Sequence, residues 1–259
     1  MIWLSRLKVL CIGVLSLLSA CQVGGKSMQA SEFFPAPVVS VLDAIQRGDE
    51  AAARRQVEQG VDLNIQDEEG ITPLLWLILE TKDYKAVALA LKVGADPNYK
   101  DGFGDNAVCS VAGSKYPELL QAVLDAGGDP NSLDRNSEPA IFNAIGETRW
   151  ADIKLLVERG ADLNLTDGPG RNSALYGAFI NQYEVVYWLL QHGADFRIRA
   201  AVGADLAYIV EDSLSLMDKS SPQYPWALKV KQFLIEKGVK FPPLTPAEVR
   251  ERWAKGEKV

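Results

Sequence analysis

Histidine occurs once and cysteine three times in 259 residues. A Cys/His zinc site cannot be assembled from that supply, and a disulfide-stapled scaffold is excluded. A nucleophile that needs a histidine base has only His192 to draw on. Positive charge is short as well: 27 Lys+Arg stand against 34 Asp+Glu, a net charge of −7. That balance is wrong for gripping a phosphate backbone, so nucleic acid is not an expected partner. P-loop and dinucleotide fingerprints are missing, and Gly102-Phe103-Gly104 reads as a turn, not a phosphate cradle. No cofactor, metal site or catalytic residue is expected. What remains, 47% hydrophobic and 24% charged residues, is ordinary globular composition.

Residues 1–20 read as an address. Arg6 and Lys8 precede the apolar run Val9–Leu18, which is too short to span a hydrocarbon core that needs about 20 helical residues. Leu18-Ser19-Ala20-Cys21 then resembles the lipobox of bacterial lipoproteins. The resemblance implies cleavage before Cys21, a diacylglycerol on its sulfur and an acylated amine. An ordinary signal peptide followed by a chance cysteine is the alternative. Gln22, where an Asp would retain such a protein in the inner membrane, favours the outer membrane. Loss of Arg6 and Lys8 takes the net charge to −9. Residues 21–38 read as the lipidated cysteine and a flexible tether, with Gly24-Gly25 and Pro35-Ala36-Pro37 as breakers. Phe33 and Phe34 either pack onto the first repeat or dip toward lipid.

The body of the chain repeats itself. Gly60, Gly94, Gly127, Gly160 and Gly193 are spaced 34, 33, 33 and 33 residues apart, each opening a segment of the type Gly-x-Asp, four of them continuing to Asn. Apolar helical stripes precede the last four, for example Leu119, Leu120, Val123 and Leu124. A glycine after such a stripe closes a helix, and Asp62, Asp96, Asp129, Asp162 and Asp195 recur as a turn device would, not as a catalytic dyad. Asp67-Glu68-Glu69-Gly70-Ile71-Thr72-Pro73-Leu74 with this period resembles the ankyrin repeat.

The resemblance implies an all-α solenoid of helix-turn-helix units over residues 39–241. A capping unit (39–66) leads into units at 67–100, 101–133, 134–166 and 167–198, and a modified cap takes 199–241. Asn106-Ala107-Val108, Pro139-Ala140-Ile141 and Ser173-Ala174-Leu175 stand for Thr-Pro-Leu in later units. From Gly193 to Gly238 is 45 residues, 12 beyond a period of 33, and Asp212–Pro225 reads as the polar insertion. A tail, 242–259, holds a short helix over Pro246–Lys255. Five or six such units share their apolar flanks and fold as one body.

In the family, partners are held by turn tips and by the inner face of the first helices. Carried over, the tip positions are Glu68, Glu69, Ile71, Phe103, Asp105, Arg135, Asn136, Arg171 and Asn172. The inner positions are Trp76, Leu79, Glu80, Ser110, Ser114, Asn143, Glu147, Gly177 and Asn181. Trp76, Phe103 and Arg135 have hot-spot chemistry, with burial between units as the alternative for Trp76. Tyr187 and Trp188 read as packing against the next unit, His192 as a bond to the last carbonyls of its helix, and Cys109 as a small buried hydrophobe.

These readings converge on a monomeric, non-enzymatic, membrane-anchored binding protein facing the bacterial periplasm. Lipoproteins with ankyrin-like repeats resemble some immunity proteins that occlude envelope-targeting toxins, phospholipase effectors of type VI secretion included. The alternative is an assembly or protective factor for an envelope or oxidative-stress enzyme.

Overall fold

The computed structural model describes residues 29–259. The segment read as a signal peptide, Cys21 and residues 22–28 lie outside the described residues. Thirteen α-helices and a short 3-10 turn, Ala30–Glu32, make up the described chain, with no strand beyond two isolated bridges. The helices come in pairs: α1 (Ala36–Gln46) and α2 (Glu50–Glu58), α3 (Pro73–Thr81) and α4 (Tyr84–Val93), α5 (Ala107–Val111) and α6 (Pro117–Asp125). Next come α7 (Ala140–Gly146) and α8 (Trp150–Glu158), α9 (Ser173–Phe179) and α10 (Tyr183–Gln191), α11 (Leu206–Leu216) and α12 (Tyr224–Glu236). A single helix, α13 (Pro246–Ala254), closes the chain.

Four of the six first helices, α3, α5, α9 and α11, start at a side-chain cap that satisfies an orphan N–H, while α1 and α7 start at Pro35 and Pro139 without one. Thr72 Oγ1 accepts from Leu75 N–H (3.2 Å), Asn106 Oδ1 from Cys109 N–H (3.1 Å) and Asn172 Oδ1 from Leu175 N–H (3.0 Å). The counterpart of Thr72 in the fourth unit is therefore Asn172, so the trio there is Asn172-Ser173-Ala174. The reading with Ser173 in first place is out by one residue. Both residues are good caps, and composition alone does not choose between them.

Corrected to this register, apolar residues fall into columns. Val87, Leu120, Ile153 and Val186 are each 0% exposed, as are Leu77, Val111 and Val210 on the first helices. First helices pack on first helices of the next unit, α3 on α5, α5 on α7, α7 on α9 and α9 on α11. At Gly177 a Cβ would come within 2.9 Å of Val186 Cγ2, so this glycine makes room for the neighbouring helix. One column holds a charge. Where other units bury Ala86, Leu119 and Val185, unit three buries Asp152 at 1% exposure. Its Oδ2 accepts from Gly113 N–H (3.1 Å), at the end of the shortened helix α5. Asp152 thus serves a backbone donor that the truncated helix leaves behind.

The Gly-x-Asp-x-Asn segments stitch units together. Asn98 Nδ2 donates to the Gly127 carbonyl (3.0 Å), and its Oδ1 accepts from Asp129 N–H (2.8 Å). Asn64, Asn131 and Asn164 make the same pair of bonds to the next unit. The aspartates act within their own turns, Asp96 Oδ1 accepting from Asn98 N–H (2.8 Å). Arg197 occupies the fifth asparagine position and turns back on Asp195 (2.8 Å), so the stitching stops there.

Both ends differ from the sequence reading. Packed structure begins before residue 39: Ala30 and Phe34 are buried, Phe34 at 5% exposure, and α1 starts at Ala36. Pro35-Ala36-Pro37 is a helix start, since proline fits the cap and first turn where no N–H partner is needed. Asp212–Pro225 is not a loop insertion. Helix α11 has eleven residues against seven in α9, α12 thirteen against nine in α10, and the connection 217–223 seven against three at 180–182. Each lengthening takes four of the twelve surplus residues. At the C-terminus, Thr245 and Glu248 form a capping box for α13, and Val249 (0% exposed) packs over Gly203, where a Cβ would meet it at 3.2–3.3 Å.

Candidate protein-binding surface

The tips are preformed by aspartates. Asp67 Oδ1 accepts from Glu69 and Ile71 N–H (3.1 and 2.6 Å), Asp101 Oδ1 from Phe103 and Asp105 N–H (2.9 and 2.8 Å). Asp134 Oδ1 does the same for Asn136 and Glu138 (2.8 and 2.9 Å). Neighbouring tips also touch by backbone. Gly102 N–H donates to Gly70 O (2.8 Å), and a Cβ on Gly102 would lie 2.6 Å from Gly70 Cα.

On this frame sit clamped arginines. Arg135 donates from its backbone N–H to Asp105 Oδ1 (2.8 Å) and from Nε to Oδ2 (2.8 Å), with a second guanidinium nitrogen on the same oxygen. Its guanidinium lies 5.4 Å from the centre of the Phe103 ring, which is 47% exposed. One unit on, Arg171 is clamped by the fully buried Asp167 carboxylate (Nε–Oδ2 2.7 Å) and lies 5.2 and 5.5 Å from the Tyr176 and Phe179 rings. Tyr176 in turn stacks on Phe142 at 4.2 Å. Arg199 repeats the clamp on Asp205 (2.7 Å). Burial, with the Asp134 carboxylate next, pushes the Glu138 carboxyl up; Arg171 opposes it. The outcome is two rigid arginine–aromatic plates whose cations are neutralised from below, with Arg199 as a third clamped arginine that has no ring beside it among the described residues. Such plates present planar contact area at low entropic cost, which is what interface anchors need.

The expected site residues divide accordingly. Glu68, Glu69, Phe103, Arg135, Asn136 and Asn181 are exposed, Asn181 at a turn with φ 59°. Glu80, Asn143 and Arg171 are half-buried; Asn143 Nδ2 donates to the Cys109 carbonyl (3.2 Å). Three are corrected from contact to framework. Trp76 is 3% exposed and packs inside the stack. Asn172, 0% exposed, is a helix cap, and its Nδ2 also donates to Asp195 O (3.1 Å). Asp105, 8% exposed, is the anchor of Arg135. Gly177, an expected inner position, is buried too. The one-residue slip hid the true inner positions of the fourth unit, Tyr176 and Ile180, beside the exposed Phe179.

Cys109, His192 and Tyr187 are packed or bonded within the fold. Cys109 is buried and its thiol is pushed up to about 12 by desolvation, the state of an inert core residue. His192 Nδ1 lies 2.8 Å from Trp188 O, and its ring stacks on Trp188. Tyr187 packs on Trp226 and Phe233 of the following unit. Among the described residues, no cluster of His, Cys, Asp and Glu could hold a metal ion, and no helix is long and apolar enough to cross a membrane. A groove of about 950 Å³ lies between the second helices α4, α6 and α8, over Ala88, Ala122 and Ala151. It is an open furrow between regularly spaced helices and contains none of the tip residues.

Comparison with known proteins agrees with this architecture. The family model for ankyrin repeats (3 copies) matches residues 107–200. The crystal structure of EF0377, an ankyrin repeat protein, superposes with a TM-score of 0.60 at 19% identity, covering 77% of this chain and 98% of that one. The ankyrin repeat domain of Bcl-3, a unique member of the IkappaB protein family, superposes with a TM-score of 0.62 at 24% identity, covering 78% and 86%. No curated protein matches in sequence. The chain thus carries ankyrin repeats at 107–200 and folds as an ankyrin-repeat solenoid, an architecture that typically serves as a non-catalytic scaffold for protein–protein contact.

Proposed function

We propose that the protein is a lipid-anchored binding protein of the bacterial envelope that occludes a single protein partner with its tips and inner helical face. The observation that carries the reading is the plate formed by Phe103, Arg135 and Asp105, an exposed aromatic under a clamped guanidinium. A surface held so rigidly loses little freedom on docking. The lipobox-like Leu18-Ser19-Ala20-Cys21 supports an anchor on Cys21, facing the periplasm and favouring the outer membrane through Gln22. Two or more acyl chains make such anchoring stable where one is marginal. Holding an inhibitor at the membrane raises its effective concentration there. The specific role we infer is immunity against an envelope-targeting toxin, such as a phospholipase effector.

Two experiments test this. Labelling cells with an alkyne fatty acid should tag the wild type and leave Cys21→Ala untagged; equal tagging removes the anchor. Affinity capture from envelope extracts should recover one dominant partner with the native protein and lose it with Phe103→Ala plus Arg135→Ala. Unchanged capture means the face is misassigned. Survival of a deletion strain under toxin attack would remove the immunity role.

A further inference from the structure

The twelve surplus residues of the last unit do more than fill space. They lengthen α11 and α12 by about one turn each, so the pair projects beyond the level at which α9 ends. The projecting end of α11 carries Leu216, which is 79% exposed. Leu216 stands one turn beyond Asp212, the residue that aligns with Phe179 on the neighbouring α9. Phe179 and Ile180, at the end of the neighbouring α9, are 38% and 36% exposed and with Leu216 form an apolar strip interrupted by Asp212, its near end at Phe179 lying against the clamped Arg171. The lip is braced: Glu184 N–H donates to Gln223 Oε1 (3.1 Å), and Tyr183 Oη donates to Ile209 O (3.4 Å). Its exposure is therefore that of a fixed surface.

The charge around the strip has one sign in excess. Glu147 and Asp212 are exposed carboxylates that form no ion pair among the described residues. Asp218 is held below the usual carboxylate range by Ser220 N–H and hydroxyl bonds, so it stays charged. Lys219 is the one exposed base in 212–220. Arg171, the nearby guanidinium, is already neutralised by Asp167. We infer that the lip docks a partner segment bearing an apolar anchor beside lysine or arginine. This rests on the protein-binding reading above and narrows it to the chemistry of the partner. An apolar anchor fills the strip between Phe179 and Leu216, and flanking cations meet carboxylates that nothing else balances.

The test uses two synthetic 18-residue amphipathic peptides, one of leucine and lysine, the other of leucine and glutamate with the same apolar positions. Affinities are read by fluorescence anisotropy at near-physiological salt, with melting curves to confirm that each variant folds. The leucine/lysine peptide should bind at least tenfold tighter than its counterpart. Leu216→Asp should weaken it at least tenfold, and Asp212→Lys plus Asp218→Lys should reverse the preference between peptides. Failure of either peptide to bind, equal affinities, or a loss below tenfold in Leu216→Asp overturns the inference. Should that happen while Phe103→Ala plus Arg135→Ala still abolishes partner capture, the broader reading stands and only the lip falls.

Discussion

Asn98 gives the most direct handle on how the stack holds together. Its side chain donates to Gly127 O and accepts from Asp129 N–H, both in the next unit. Asn98→Ala deletes both bonds and leaves a carbonyl and an amide to find water at a surface turn. A net value of roughly 0.5–1 kcal/mol per exposed bond predicts a loss of about 1–2 kcal/mol. For a body of this size that is a fall in Tm of about 2–8 °C. Asn98→Asp keeps the acceptor for Asp129 but sets a carboxylate oxygen against the Gly127 carbonyl, so at neutral pH its loss should be no smaller than that of Asn98→Ala. Arg197→Ala, at the position where the stitching has stopped, should cost little, because Arg197 bonds only within its own turn and is 76% exposed. Urea unfolding followed by circular dichroism reads all three. Equal losses in Asn98→Ala and Arg197→Ala would refute the idea that these asparagines couple the units.

Three further perturbations follow from buried groups and tight contacts. Burial raises the Asp152 carboxyl above its unfolded value, so the native state holds that proton more tightly and the cost of the charge grows as pH rises through the raised value. Asp152→Asn keeps an oxygen for Gly113 N–H, so it should match the wild type in acid and gain on it toward neutrality; parallel Tm–pH curves contradict this. Cys109, with its thiol pushed up to about 12, should resist a thiol reagent at pH 8 in the native protein and react fully once unfolded; fast native labelling would show that the fifth helix opens. Gly102→Ala places a Cβ 2.6 Å from Gly70 Cα and should destabilise by roughly 2 kcal/mol or more, read as a shifted urea midpoint.

Periodicity made the architecture readable. The spacing of Gly94, Gly127, Gly160 and Gly193 reflects a turn that every unit must make, so it survives where Thr-Pro-Leu does not. Register was harder. Asn172 and Ser173 are adjacent and both cap well, and only the bond from Leu175 N–H to Asn172 picks the former. That single slip displaced Tyr176 and Ile180 from the candidate face. The longer α11 and α12 were hidden for a similar reason: Pro225 looks like a breaker, yet it sits in the first turn of α12, where proline costs no hydrogen bond. Trp76 lies in the run Leu74–Ile78, apolar throughout, so no polar neighbour marks which side faces water. Its burial is decided by the unit that packs against it.

The central functional claim is that a protein partner is gripped by the tips and inner helices and not by the furrow between α4, α6 and α8. Hydrogen exchange on the complex with the captured partner measures this directly. Protection is expected at 101–105, 134–138 and 171–180, with exchange across the second helices unchanged. Protection confined to the second-helix furrow, with the Phe103 and Arg135 tips exchanging as in the free protein, would contradict the account.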